Sequence, residues 1–250
     1  MPYAILRMEK CKGGSAGAIE AHNERQKERY ASNPDIIPEL TGENYHLIRP
    51  TASYRNEIDA RIHRAGCPRV RKDSVRYVEC IVAATPEYLE QMPPQEERAF
   101  FEHALEFMKQ KVGEENIFTA VVHMDERTPH MHLCFTPITQ DGRLSAKEII
   151  GNKAVLCRWQ DEFHDWMQHR FYELERGDPA IKTGREHIDT QTYKSQDAVY
   201  WKRKTTENAL RNERSRADRL ERRWEQVPRE IRQQILQQER MEERRNGRSR

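Results

Sequence analysis

The chain has 250 residues, enough for one large domain or a domain with an extension, and its charged fraction of 34% with mean hydropathy −1.02 predicts that part of it is solvated helix. No apolar run reaches membrane-spanning length and no apolar leader opens the chain, so a soluble, cytoplasmic protein without a membrane span is expected. Five scattered cysteines (Cys11, Cys67, Cys80, Cys134, Cys157) with no CxxC pair indicate neither a zinc ribbon nor a disulfide framework, and the net charge of +2 hides an uneven distribution.

Residues 3–8 form a short apolar run that predicts a first strand, broken by Gly13, Gly14 and Gly17. A polar helix is expected over 15–31, carrying His22, Asn23 and Arg25. Residues 32–44 are irregular, with Asn33, Pro34, Pro38 and Gly42 as turn signals. A helix is expected over 53–65, and the β-branched alternation of 75–84 predicts a strand. Pro93-Pro94 opens a helix running to Val112, with Phe100, Phe101, Leu105 and Met108 as its buried stripe. Residues 117–123 and 131–136 are the central strands, and Asp141-Gly142 makes a turn. Trp159, Phe163, Trp166 and Phe171 at helical spacing predict a helix over 152–174, stopped by Gly177-Asp178-Pro179.

Beyond Trp201 arginines crowd together: Arg203, Arg211, Arg214, Arg216, Arg219, Arg222 and Arg223. Leu210, Leu220, Val227, Ile231, Ile235 and Leu236 sustain no clean heptad, so this stretch reads as a solvated basic helix able to face phosphate. The order of elements predicts an α+β domain over 1–194, its mainly antiparallel sheet flanked by helices, then a charged, arginine-rich helical extension over 195–250.

The chemistry concentrates in ten residues, His123-Met-Asp-Glu-Arg-Thr-Pro-His-Met-His132. His130 and His132 are two apart, so on a strand both leave the same face. If the flanking segments pair as a hairpin, His123 sits opposite His130 and three imidazoles converge. One histidine in a polar loop is ordinary surface. Three with a glutamate at His-x-x-Glu-x-x-x-His-x-His spacing indicate a metal site. Imidazoles suit Mn, Zn, Co or Ni better than Mg, which prefers oxygen, and the spacing is not the HExxH of helical metalloproteases. Three protein ligands leave positions for substrate, the arrangement of a catalytic centre. Glu126 is a fourth ligand or a group behind the ligands, and Asp125 orients a histidine or is structural.

A second constellation is His22-Asn23-Glu24-Arg25. On a helix His22 and Arg25 share a face, where the arginine disfavours a second positive charge on the imidazole. A neutral imidazole is a nucleophile and an arginine clamps phosphate, although on spacing alone an ordinary polar helix face is the better reading. Tyr45, after Asn44, is a rival nucleophile, a base-stacking platform, or an aromatic anchoring the loop.

Taken in order, these segments resemble the plasmid mobilisation relaxases of the Pre/Mob (MobV) group, within the HUH endonuclease superfamily. Arg7-Met-Glu-Lys-Cys-Lys12 resembles their opening strand, His22-Asn-Glu-Arg25 motif I, and the stretch through Ser32-Asn33, Asp35-Ile36 and Asn44-Tyr-His-Leu47 the segment ending in motif II. Arg71-Lys-Asp73 precedes a strand as in relatives, and His123-x-Asp-Glu-x-x-Pro-His-x-His132 resembles motif III. Gly142-Arg-Leu-Ser-Ala-Lys147 and Leu174-Glu-Arg-Gly177 also have counterparts. The resemblance implies a five-stranded antiparallel sheet and a metal-dependent, strand-specific nick in a transfer origin, made through a covalent protein–DNA intermediate for conjugative mobilisation. It implies His22 as nucleophile ahead of Tyr45, and His123, His130 and His132 as ligands with Glu126 close by, for manganese ahead of magnesium and zinc. Arg25, Asn44, Tyr45, Arg71, Lys72, Arg143 and Lys147 are the expected DNA contacts. Expected partners are single-stranded or hairpin transfer-origin DNA, a conjugation coupling protein, and a second copy through a C-terminal region. Two other classes compete: a rolling-circle replication initiator, which generally relies on tyrosine, and a non-catalytic DNA-binding protein with a structural metal.

Overall fold

The structure, a computed structural model, describes residues 2–27, 33, 36–67, 70–126, 128–177 and a scattered set between 213 and 233. The chain divides into two compact units, Met1–Tyr193 and Lys194–Arg250. In the second, the described residues are helical; most of 195–250 lies outside the described set, including every apolar position named there. So do 28–31, Ser32, Asp35 and the expected stop at Asp178-Pro179.

In chain order the first unit contains β1 (Ala4–Lys12), α1 (Ala16–Asn23), β2 (Tyr45–Ile48), α2 (Tyr54–Arg64), β3 (Val75–Ala84), α3 (Pro86–Glu90), α4 (Pro94–Val112), β4 (Ile117–His123), β5 (His130–Phe135), α5 (Ala146–Ile149) and α6 (Lys153–Gln168). The strands form one sheet in the order β1-β3-β5-β4-β2, every neighbouring pair antiparallel. This is the α+β, five-stranded antiparallel architecture expected.

Strand alternation sends successive side chains to opposite faces, and each face meets different helices. Leu6, Val78, Cys80, Val82, Ala120, Val122, Met131, Leu133 and Phe135 pack with Phe100, Phe101, Leu105 and Met108 of α4 and with Trp159 and Phe163 of α6. Burying side chains of this size contributes roughly 1.5–3 kcal/mol each, so this face supplies most of the core stabilisation. The other face is covered over one half only. There Cys11, Tyr77, Phe118 and Cys134 pack with Ala16 of α1 and Tyr54, Ile58 and Ile62 of α2.

Several boundaries differ from the sequence expectation. β1 continues to Lys12, because Cys11 stays buried between exposed lysines until the glycines begin. α1 stops at Asn23, not 31, because Arg25 adopts a left-handed φ of 50° that no helix continues through. β2 directly follows the irregular stretch 32–44, where no strand is expected, and α3 and α5 are short helices that the sequence pattern does not show. α6 ends at Gln168; Phe171 reaches the core from the turn beyond it.

The half of the second face outside the apolar cluster around Tyr77 and Phe118 positions the site. The strand registers place Arg7, Ile81, His132, Val121 and His46 in one row across all five strands. Two residues further along β4, His123 pairs directly with His130.

Candidate active site

Pairing of β4 with β5 brings the three histidines together: ring centroids are 5.4 Å apart for His123–His130, 4.7 Å for His123–His132 and 4.9 Å for His130–His132. One nitrogen of each ring faces an acceptor. His123 Nε2 donates to the Asn23 carbonyl at 3.0 Å, His130 Nδ1 to the Thr128 carbonyl at 2.8 Å, and His132 Nδ1 to Glu79 Oε1 at 2.9 Å. A nitrogen facing such an acceptor carries the ring proton, so the opposite nitrogen keeps its lone pair. Burial, joined by the neighbouring imidazoles, lowers the basicity of His130 and His132 and keeps them neutral. The lone-pair nitrogens that result are His123 Nδ1, buried with no hydrogen-bond partner, and the Nε2 atoms of His130 and His132, 3.0 Å from each other. Lone pairs directed at one another at that distance repel unless a cation lies among them. The donor set therefore fits a divalent metal.

Ligand atoms of His123, Glu126 and His130 lie within 4.8 Å of one another, as do those of His22, His123 and His132. Glu79 is the orienting carboxylate behind His132, a role typical of metal centres. Burial and the facing Glu9 raise its carboxyl to about 7, and a cation held by the histidines would favour its ionised, accepting form.

α1 delivers His22 to the edge of this cluster, with ring centroids 5.4 Å from His123 and 5.2 Å from His132. Its Nε2 lies 3.6 Å from Glu126 Oε1. Burial pulls the imidazole down to about 4, and Arg25 and the other imidazoles oppose a second charge, so His22 is neutral near pH 7. Its side chain is 27% exposed, open to a substrate, whereas His123 is fully buried.

Arg25 differs from expectation. Its Nε and Nη2 bind both oxygens of Asp125 at 2.8 and 2.7 Å, Nη2 binds Glu126 Oε1 at 2.6 Å, and Nη1 binds the His22 carbonyl at 2.8 Å. With its side chain 6% exposed, the guanidinium is committed to internal carboxylates and does not present itself as a phosphate clamp. It fastens the end of α1 to the turn that bears Glu126. Asp125, fully buried, also accepts from Thr41 Oγ1 at 2.9 Å, and so is structural. Burial works against ionisation of Glu126. Its contacts with His123, His130, Asn33 and Arg25 outweigh that and hold the carboxyl well below the usual range. The Asn33 amide donates to its other oxygen at 2.7 Å.

Other expected contacts fall elsewhere. Asn44 Oδ1 accepts from the backbone N–H of Met124 and Asp125, so this residue shapes the turn and does not reach outward. Tyr45 pairs in register with Val122, whose side chain belongs to the α4 face, and its ring packs under Arg98 of α4 at 4.8 Å. It therefore sits behind the sheet from His22. The rival-nucleophile and base-stacking readings fail on that geometry, and the anchor reading remains. Arg143 is tied to Asp141 and Glu148, and with Lys147 it follows the end of β5 opposite to His130. Arg71 and Lys72 are exposed, Arg71 lying 3.8 Å from Asp73.

Sequence reasoning missed two supports. Glu79 carries a signal: a carboxylate inside the otherwise apolar stretch Val78–Val82 has a reason to be there. Glu24 carries none. It accepts from His46 at 3.0 Å and from the Tyr54 hydroxyl at 2.9 Å, anchoring the end of α1 to β2 and α2.

Comparison with known proteins agrees with this geometry. The Mob_Pre family, described as plasmid recombination enzyme, matches residues 1–195. Plasmid recombination enzyme type 1 of Staphylococcus aureus is 39% identical over 211 residues, covering 83% of this chain and 52% of the relative. A plasmid recombination enzyme of Bacillus sp is 36% identical over 218 residues, covering 86% of this chain and 51% of the relative. The chain thus spans about half the length of these curated relatives. Among solved structures, the MobM relaxase domain bound to plasmid pMV158 oriT DNA, in a Mn-bound crystal structure, superposes with a TM-score of 0.71 at 33% identity, covering 77% of this chain and 97% of that one. A fold with histidines on an open sheet face defines the class, and the chain belongs to the plasmid recombination enzyme (Mob_Pre) family. Among its described residues no helix is long and apolar enough to cross a membrane.

Proposed function

We propose that this chain is a DNA relaxase that nicks and rejoins one strand at the transfer origin of a plasmid or mobile element, with His22 as nucleophile. The observation that carries the reading is the neutral His22 imidazole held against Glu126 and the inward-facing lone pairs of His123, His130 and His132. A divalent cation held by those three histidines, manganese by analogy with the Mn-bound MobM structure, would supply Lewis-acid polarisation of the phosphodiester. The lone-pair nitrogen of His22 attacks phosphorus in line. An N–P bond forms, the P–O3′ bond breaks, and the 5′-phosphate stays on the protein. Glu126 accepts a hydrogen bond from the other ring nitrogen of His22, whose proton is released to water as the N–P bond forms, and water supplies the proton with which the departing 3′-oxygen leaves as a hydroxyl. Because the phosphoramidate conserves the energy of the broken linkage, the 3′-hydroxyl can attack it in the reverse step and reseal the strand without ATP. Arg25 acts by holding His22 and Glu126 in register.

The same reading carries single-stranded or hairpin origin DNA as substrate, a conjugation coupling protein as partner, self-association through a C-terminal region, and a cytoplasmic location. A rolling-circle initiator is disfavoured because Tyr45 lies behind the sheet. A structural metal is disfavoured because His22 lies open beside the histidine cluster.

Nicking of a supercoiled plasmid carrying a cognate origin tests the metal's part. Wild type with Mn²⁺ is expected to give the open circle, EDTA to prevent it, and His130→Ala to lose both Mn²⁺ binding and nicking. Nicking that persists in EDTA removes the metal from the account.

A further inference from the structure

Of the residues expected to hold DNA, Arg25, Asn44 and Tyr45 are taken up within the fold, and Arg143 and Lys147 follow the end of β5 opposite to His130, which raises the question of which positive charge the histidine face offers outward. The sheet register answers it. Arg7 of β1 pairs with Ile81 of β3, and Ile81 with His132 of β5. Two strand spacings of about 4.8 Å separate Arg7 from His132, on the order of 10 Å between backbones. Residues opposite one another in neighbouring strands share a face. Ala4 and Leu6 are buried in the α4 core, so Arg7 emerges on the histidine side.

This part of the face is open. α1 and α2 cover the half around Cys11, Tyr77, Phe118 and Cys134. The half beside His132 presents Ile5 and Ile81, each partly exposed, and neither packs into either hydrophobic core. Arg7 is exposed at its margin, and among the described residues its guanidinium takes part in no ion pair or hydrogen bond. Two isoleucines left half-exposed next to a cation, and adjoining a metal-ligand cluster, form a shelf with one apolar and one phosphate-binding component.

We infer that this shelf seats the nucleotide adjoining the scissile phosphate, with Arg7 binding that nucleotide's phosphate and Ile5 and Ile81 packing against its sugar and base. The inference rests on the proposed nicking function. A guanidinium binds a phosphate bidentately and independently of sequence, so Arg7 sets the position of the strand and leaves its identity to be read elsewhere. It takes over the clamp role that the buried ion pair with Asp125 denies to Arg25.

The test is binding of a fluorescein-labelled oligothymidylate across a salt series, with nicking of origin DNA and Mn²⁺ affinity measured on the same proteins. For Arg7→Ala and Arg7→Gln the inference expects roughly tenfold weaker binding and a salt dependence shallower by about one ion. KM for nicking should rise while kcat and Mn²⁺ affinity stay near wild type, and Arg7→Lys should recover part of the loss. Arg98→Ala, on the helix behind the sheet, should bind as wild type does. Unchanged affinity and salt slope in both Arg7 variants overturns the inference, as does an equal loss in Arg98→Ala, which would make the effect one of net charge. Wild type that binds but never nicks defeats the functional proposal instead.

Discussion

Arg25 shows how one side chain can be chemically well chosen for a role it does not play. An arginine three residues after a histidine suits phosphate, but here two carboxylates, a hundred residues further on, claim it first. Four directed hydrogen bonds from one planar group fix the His22 carbonyl relative to Glu126, and an ammonium makes no such fork. Arg25→Lys is therefore expected to reduce covalent adduct formation by at least about tenfold, because misplacing reacting groups by an ångström costs that much or more. Mn²⁺ affinity should change little. Calorimetry and a gel-shift of the denatured adduct read the two separately; wild-type adduct yield in Arg25→Lys would show that the fork is dispensable. The histidine trio, by contrast, was legible in the sequence. Period-two spacing and a Pro-containing turn predicted its convergence, and both are local properties. Glu24 and the true partners of Arg25 were not, since each acts across a sequence separation that no local pattern records, and the carboxylate within the apolar stretch Val78–Val82 marks Glu79 as unusual without naming His132 as its partner.

At the scale of elements, legibility followed length and periodicity. α4 has nineteen residues and a continuous apolar stripe, and it was placed to within one residue. β2 has four residues, too few for alternation to rise above the surrounding turn signals. The end of α1 was misplaced because the left-handed turn at Arg25 is imposed by tertiary bonds and not by a glycine or proline. The division of labour between sheet faces makes a prediction at this scale. Phe101 is fully buried on the α4 face, behind the histidines. Phe101→Ala should destabilise the fold by about 3–5 kcal/mol, read as a lower midpoint in urea at unchanged slope. Under conditions where the variant is fully folded, nicking should remain near wild type. Loss of nicking by the folded variant would mean that the two faces are not independent.

For the molecule as a whole, the sheet is a platform with one insulated face and one working face. The insulated face holds the stability. On the working face, one half is sealed by α1 and α2, and the other gathers the metal ligands, the nucleophile at the end of α1, and the open shelf of Ile5, Arg7 and Ile81. Helix α1 links the halves: Ala16 sits in the sealed core, while the Asn23 carbonyl accepts from His123 and His22 meets Glu126. The general architecture was legible in the sequence, because four strands and the longer flanking helices follow from patterning and the five-stranded sheet from the family resemblance. The choice of which charges face outward was not, because it depends on strand register.

The most direct measurement of the central proposal is peptide mapping by mass spectrometry of the protein–oligonucleotide adduct formed in Mn²⁺. The account predicts a nucleotide phosphate linked to the peptide containing His22, through an acid-labile nitrogen–phosphorus bond, and no adduct from His22→Ala. A nucleotide found on Tyr45 or any other residue, or an adduct that survives in His22→Ala, would contradict it.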